Sequence, residues 1–223
     1  MHDPRTHLYR TIHRAVRLLL AELSALTGAT DFASDRELSD LRARTARAFD
    51  MLGGHAHHEE EWVHPLLAKH APEVRALLDD AHGSQHDTMP ALLERLAAID
   101  PRSPEAIDRA DEYRIALSRY VAEQLQHMAD EEARAMPALY AAMSDDELVA
   151  LHDALVQSVP PAEMMAWLGY MLPGISGPER AGMLLGMRAG APAEAFAAVM
   201  GIARQVLPGS AFEDLSARLA QAA

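Results

Sequence analysis

The sequence contains no cysteine, which excludes disulfides, thiolate zinc sites, iron–sulfur clusters and cysteine nucleophiles together. Aromatic residues make up only 5%, and a chain poor in aromatics but rich in Ala and Leu favours helices over strands. Long apolar runs are missing as well. Stretches such as WLGYML and AGMLLGM fall far short of the ~20 residues that span a bilayer. Basic residues are outnumbered, 20 Lys+Arg against 33 Asp+Glu, for a net charge of −13. Such a surface repels nucleic-acid phosphates and anionic lipid, so neither nucleic acid nor membrane is expected as a partner. The opening residues MHDPRTHLYR lack the apolar core of a signal peptide, and a cytoplasmic location is expected. With 223 residues the chain suits one large domain, or one domain with a helical extension.

Helix punctuation is legible along the chain. Asp3-Pro4 reads as a cap and first helical position and Gly28 as a stop, giving a helix over about 4–27. Ser34 with Glu37 forms a capping box that opens a long helix to about Lys69, weakened in the middle by Gly53-Gly54. Pro72 starts a third helix to about Ala98, with a kink expected at Pro90. Ser103-Pro104 starts a fourth, to about Met143, bent or interrupted at Pro137. Four such helices on short connections imply an antiparallel four-helix bundle over residues 1–143. A second box, Ser144 to Glu147, opens a C-terminal extension of short helices over 144–223, packed on the bundle or used for interaction. No segment alternates apolar and polar residues for long, so the fold class is all-α.

What the sequence has in abundance is histidine, 12 residues. His55 and Glu59 lie four apart, with Pro65 six residues beyond the glutamate; His127, Glu131 and Pro137 repeat the string. A spacing of four puts both side chains on one helix face, so each helix offers an imidazole and a carboxylate together. His82 and His86 repeat the spacing with two imidazoles. At about 100° per residue, Leu41, Thr45, Phe49, Leu52, Ala56 and Val63 form the buried stripe of the second helix. His55 and Glu59 then face inward, while His57 and Glu61 face water. By the same projection His127 and Glu131 fall near Tyr113, Tyr120 and Met128. His13 falls with Tyr9, Val16 and Leu20, while His7 points away. His2, His7, His57, His58, His64, His70 and His152 read as surface or locally bonded residues.

Periodicity thus selects His13, His55, Glu59, His82, His86, His127 and Glu131. Five imidazoles and two carboxylates exceed the needs of one ion and suit two ions bridged by the carboxylates, with a position open to an exogenous ligand. Such donors accept Fe, Mn or Zn. Without a cation the arrangement would bury two carboxylates at several kcal/mol each.

With IHRAVR, HAHHEEEWVHPLL, HGSQH and HMADEEARAMPAL in this order, the chain resembles the hemerythrin-like, HHE cation-binding family over about residues 5–143. The resemblance implies a four-helix bundle holding a non-haem di-iron centre, with Glu59 and Glu131 bridging and the five histidines as terminal ligands. It also implies a small diatomic ligand or peroxide as the partner, in oxygen binding, sensing or repair of nitrosative and oxidative damage. The last carboxylate differs from that of oxygen carriers, which place an aspartate five residues after the fourth-helix histidine. Here Glu131 comes at four, as in nitrosative-stress repair proteins and an iron-sensing ubiquitin-ligase subunit, while Glu132 at five turns away. Retention of both His82 and His86 matches the oxygen-binding members.

Three readings follow: a binding or sensing module, a redox enzyme reducing peroxide or nitric oxide, and an iron-responsive interaction protein. Tyr113 and Tyr120 are candidate hydrogen-bond or electron donors to the centre. Half of the methionines lie in residues 164–200, a candidate contact surface for a protein partner or a homodimer. Gly182 and Gly186 are spaced to let another helix approach closely.

Overall fold

Proline and serine set most of the helix boundaries. In the computed structural model, which describes residues 5–222, the elements are α1 Arg10–Ala29, α2 Asp35–Trp62, α3 His64–His70, α4 Pro72–Ala97 and α5 Ala106–Asp130. A π-helical turn, Glu131–Ala135, leads into α6 Met136–Ala142, followed by α7 Asp145–Ser158, α8 Pro161–Gly174, α9 Gly177–Gly190, α10 Ala193–Val206 and α11 Gly209–Gln221. The described residues contain no strand, and the fold is an all-α helical bundle followed by further helices.

Two expected boundaries move, each for a local reason. Asp3-Pro4, expected to start the first helix, lies outside the described residues, and α1 begins only at Arg10. The chain before it is committed elsewhere: Arg5 donates from Nη1 to Tyr140 O at 2.8 Å and from Nη2 to Met143 O at 2.6 Å, satisfying carbonyls at the end of α6. The long second helix breaks at Val63. Pro65 has no N–H to give the Glu61 carbonyl and its ring crowds that oxygen, so the ladder ends with Val63 N bonding Glu59 O at 2.9 Å, and α3 restarts at His64. Gly53-Gly54, by contrast, sits inside an unbroken helix, and α4 passes through Pro90 without interruption.

Pro137 acts on the fourth helix as Pro65 does on the second. The run ahead of it widens into the π turn, where Met136 N bonds back five residues to Glu131 O, a geometry found often at functional sites. The capping box at Ser144 forms in full, with Ser144 N donating to Glu147 Oε2 at 2.8 Å and Glu147 N to Ser144 Oγ at 3.3 Å. At Ser34 only half of the box forms: Glu37 N reaches Ser34 Oγ at 3.3 Å, but the Glu37 carboxylate accepts from Asp31 N instead.

The chain divides into two compact units. The first holds the segment up to Tyr9 and Leu19–Ser158. Leu41, Thr45, Phe49, Leu52, Ala56 and Val63 are all buried there, as their periodicity predicts. Beside the breaks, Tyr9, Val63, Leu67, Ala71, Leu78, Ala135, Met136, Leu139 and Leu148 form one apolar cluster. Arg42 fastens the end of α4, donating to Leu96 O at 3.2 Å and Ile99 O at 2.6 Å.

The second unit holds Arg10–Leu18 and the chain from Val159 onward. Its helices α8, α9, α10 and α11 start at residues 161, 177, 193 and 209, a constant step of 16. Helix α8 packs chiefly on α10, and α9 on α11. Leu168, Leu172, Leu184, Val199, Ala203 and Leu215 form the core, with Met164, Met165, Met171, Met183, Met187 and Met200 packed against it. The methionines therefore fill gaps in this unit's own interior. Arg180 is buried and donates to Leu172 O at 2.6 Å and Ile175 O at 2.8 Å, satisfying the end of α8. The close approach is not at the expected glycines: a Cβ at Gly182 or Gly186 would meet nothing within 4 Å, whereas one at Gly174 would stand 3.3 Å from Arg14 O.

Candidate metal centre

Three helical segments of the first unit bring Glu59, His82, His127 and Glu131 together. One ligand atom from each lies within 4.8 Å of all the others. All four are buried, Glu131 completely. Within each repeated string the pair is in contact, His55 Nε2 at 3.2 Å from Glu59 Oε1 and His127 Nε2 at 3.4 Å from Glu131 Oε1. Across the helices, His82 Nε2 stands 3.0 Å from His127 Nε2 and 3.6 Å from Glu59 Oε2.

These donors fit a cation. Imidazole and carboxylate are hard-to-borderline ligands suited to Fe, Mn or Zn. Two buried carboxylates and two converging ring nitrogens make a cluster of lone pairs that is costly without positive charge. The titration of His82 reflects this. Burial alone would lower its pKa, but Glu59, Glu60 and Glu131 together hold it above the ordinary value. A proton on His82 thus supplies part of the charge that a metal ion would bring.

Glu60 orients His82 from the far side. His82 Nδ1 lies 2.9 Å from Glu60 Oε1, and His86 Nε2 lies 3.1 Å from the same oxygen. Burial raises the Glu60 pKa, but the bonds from His86 and His82 outweigh it and keep the carboxyl below its usual range. A carboxylate on the outer nitrogen of a metal-binding histidine fixes its tautomer and ring plane. The side chain of His86 itself is 50% exposed.

The remaining selected residue, His13, is fully buried on α1. The competing pair His57 and Glu61 is exposed, as its register predicts. Glu132 is half-buried, next to the fully buried Glu131.

Two residues near the centre escape the periodicity argument. Tyr9 is 2% exposed, and its hydroxyl pKa is pushed well up by burial and then by Glu131 and Glu59. Of the two candidate donors, Tyr120 packs edge-on against Phe49 at 5.3 Å, and Tyr113 is completely buried. His64, read from the sequence as a surface or locally bonded residue, is completely buried with its ring 4.7 Å from that of His82. Burial, then the neighbouring His82 and Arg75, lower its pKa to about 4. The signal for both lay in the breaks: Pro65 marks the interruption beside His64, and Tyr9 stands ahead of the first helical residue.

None of the described helices is long and apolar enough to cross a membrane. Comparison with curated proteins and with solved structures finds no significant match. A family profile described as the hemerythrin HHE cation binding domain matches residues 5–139. That span takes in both His-x-x-x-Glu strings, both following prolines and the His82 helix, so the chain belongs to the hemerythrin HHE cation-binding domain family.

Proposed function

We propose that this chain is a non-haem di-iron protein that binds or responds to oxygen, nitric oxide or peroxide. The observation that carries the reading is the buried convergence of Glu59, His82, His127 and Glu131. Two carboxylates at the middle of the set, each with an imidazole four residues before it, suit a pair of ions sharing both carboxylates. The proposed ligands within the first unit are His55, Glu59, His82, His127 and Glu131; His86, half exposed and bonded to Glu60, is given the role of holding Glu60. When bound, a carboxylate-bridged iron pair supplies an open coordination position and one-electron redox chemistry.

The chain's own residues prepare that position. Glu60 fixes the His82 ring. Val63, Leu67, Leu78, Ala135, Met136 and Leu139 exclude water around it, which strengthens each charge–charge interaction inside. The Tyr9 hydroxyl stays protonated at neutral pH and is suited to donate a hydrogen bond to a bound anionic ligand.

The test is to load the chain anaerobically with ferrous iron and expose it in turn to oxygen, nitric oxide and peroxide. New absorption bands that saturate at one ligand per two irons are expected with at least one of the three. A spectrum unchanged by all of them would refute the proposed function.

A further inference from the structure

We propose that His64 is itself a metal ligand, supplying the centre from its Nε2 atom while Asp79 holds its Nδ1. This rests on the di-metal reading above and adds a donor that the repeated His-x-x-x-Glu pattern does not contain.

The argument begins with Pro65. In an unbroken helix His64, five residues after Glu59, would point about 140° away from it. A one-residue turn at Val63, whose backbone stays right-handed helical, separates α2 from α3, and His64 just beyond it is completely buried. The second string behaves alike: Met136 stands where His64 does, just before its proline, and is also buried, in the apolar cluster beside the centre. The two strings thus present matching inward positions, one filled by a thioether and the other by an imidazole.

The ring is oriented as metal-binding histidines are. His64 Nδ1 lies 3.3 Å from Asp79 Oδ1, a carboxylate also paired with Arg75. A proton on Nδ1, facing Asp79, leaves the lone pair on Nε2. Both ring nitrogens of His64 are buried and neither makes a hydrogen bond, with Asp79 the carboxylate within ion-pair reach on the Nδ1 edge. His82 likewise has a carboxylate on its Nδ1 edge, there hydrogen-bonded to Glu60, with Nε2 in the centre. Carboxylate–histidine pairs of this kind are the usual outer support of a metal site. The His64 ring lies against that of His82, 4.7 Å between centroids and 34° between planes. A buried imidazole nitrogen without a partner is costly in an apolar core, and a metal ion relieves that cost.

The test compares wild type, His64→Phe, Asp79→Ala and His86→Phe for ferrous iron retention against a graded chelator. Hyperfine-shifted, exchangeable imidazole N–H resonances are recorded on the same samples. Phenylalanine keeps the ring packing and removes the donor. Asp79, whose side chain is 46% exposed, can change without disturbing the core, so its variant decides the matter if His64→Phe fails to fold. Expected are a loss of about 10–100-fold in iron affinity for His64→Phe and about 10-fold for Asp79→Ala. One shifted imidazole resonance should vanish in His64→Phe and remain in His86→Phe. Unchanged affinity with every shifted resonance retained in His64→Phe, or in Asp79→Ala if only that variant folds, would overturn this proposal and leave the di-metal reading standing. A wild-type chain that retains no iron would overturn both.

Discussion

His82 Nε2 and His127 Nε2 face each other at 3.0 Å in the interior of the first unit. Two imidazole nitrogens that close share one proton or one cation, because two N–H groups would collide and two bare lone pairs would repel. Glu60, on the opposite side of His82, decides which edge of the ring turns inward.

Replacing Glu60 by glutamine keeps the size of the side chain but removes the charge that orients His82. Iron affinity should fall by about 10-fold or more, while the circular dichroism of the helices stays unchanged. Chelator competition monitored by absorption provides the measurement.

Glu131 is fully buried beside Glu59, His82 and His127. Glu131→Gln should therefore raise the stability of the metal-free protein, by about 1 kcal/mol or more, since a desolvated charge is removed from the interior. For a chain of this size that corresponds to roughly 2–4 °C in melting temperature. The same substitution should abolish stoichiometric iron loading. Thermal unfolding with and without iron reads both effects, which run in opposite directions.

The π turn that opens with Glu131 depends on Pro137. Pro137→Ala restores an N–H that can bond four residues back, so the turn should relax to regular α-helix. The shifted register moves Glu131 and Ala135 relative to the rest of the cluster. Iron affinity should drop while helix content holds or rises slightly, as measured by chelator competition and circular dichroism.

In the second unit, the Ser176 hydroxyl, the Arg14 guanidinium and the Ser176 backbone N–H hold the Glu179 carboxyl down at about 2, against an ordinary value of 4.5. A carboxyl depressed in the folded state contributes stability above pH 4.5 that is lost as the pH falls from 4.5 towards 2. The Glu179 side chain is 40% exposed, so solvent screening reduces the contribution to about 1 kcal/mol. Glu179→Gln should flatten this part of the acid-stability profile. Denaturant unfolding at pH 5 and pH 3 checks it.

The legible part of the centre is the part that lies within one helix. His55 with Glu59 and His127 with Glu131 keep their four-residue spacing because α2 and α5 run unbroken as far as each carboxylate. The buried stripe from Leu41 to Val63 was readable for the same reason. Prolines limited the reading. Beyond Glu59 the helix is interrupted by a turn at Val63, and His64, read as a surface or locally bonded residue, lies in the core. Glu60 follows Glu59 directly, so helix periodicity gave no hint that it reaches His82 and His86 on another helix. Tyr9 was visible only as an apolar neighbour of His13, since its relation to Glu59 and Glu131 depends on how separate helices pack. The start of α1 was misplaced because Arg5, unlike a helix signal, acts through a contact 135 residues away.

The central claim is a two-iron centre built on Glu59, His82, His127 and Glu131. Elemental analysis of protein purified without a histidine tag and reloaded anaerobically tests it most directly. The account predicts close to two irons per chain in the wild type and none held stoichiometrically in Glu131→Gln. A wild-type chain that takes up no stoichiometric iron would contradict it.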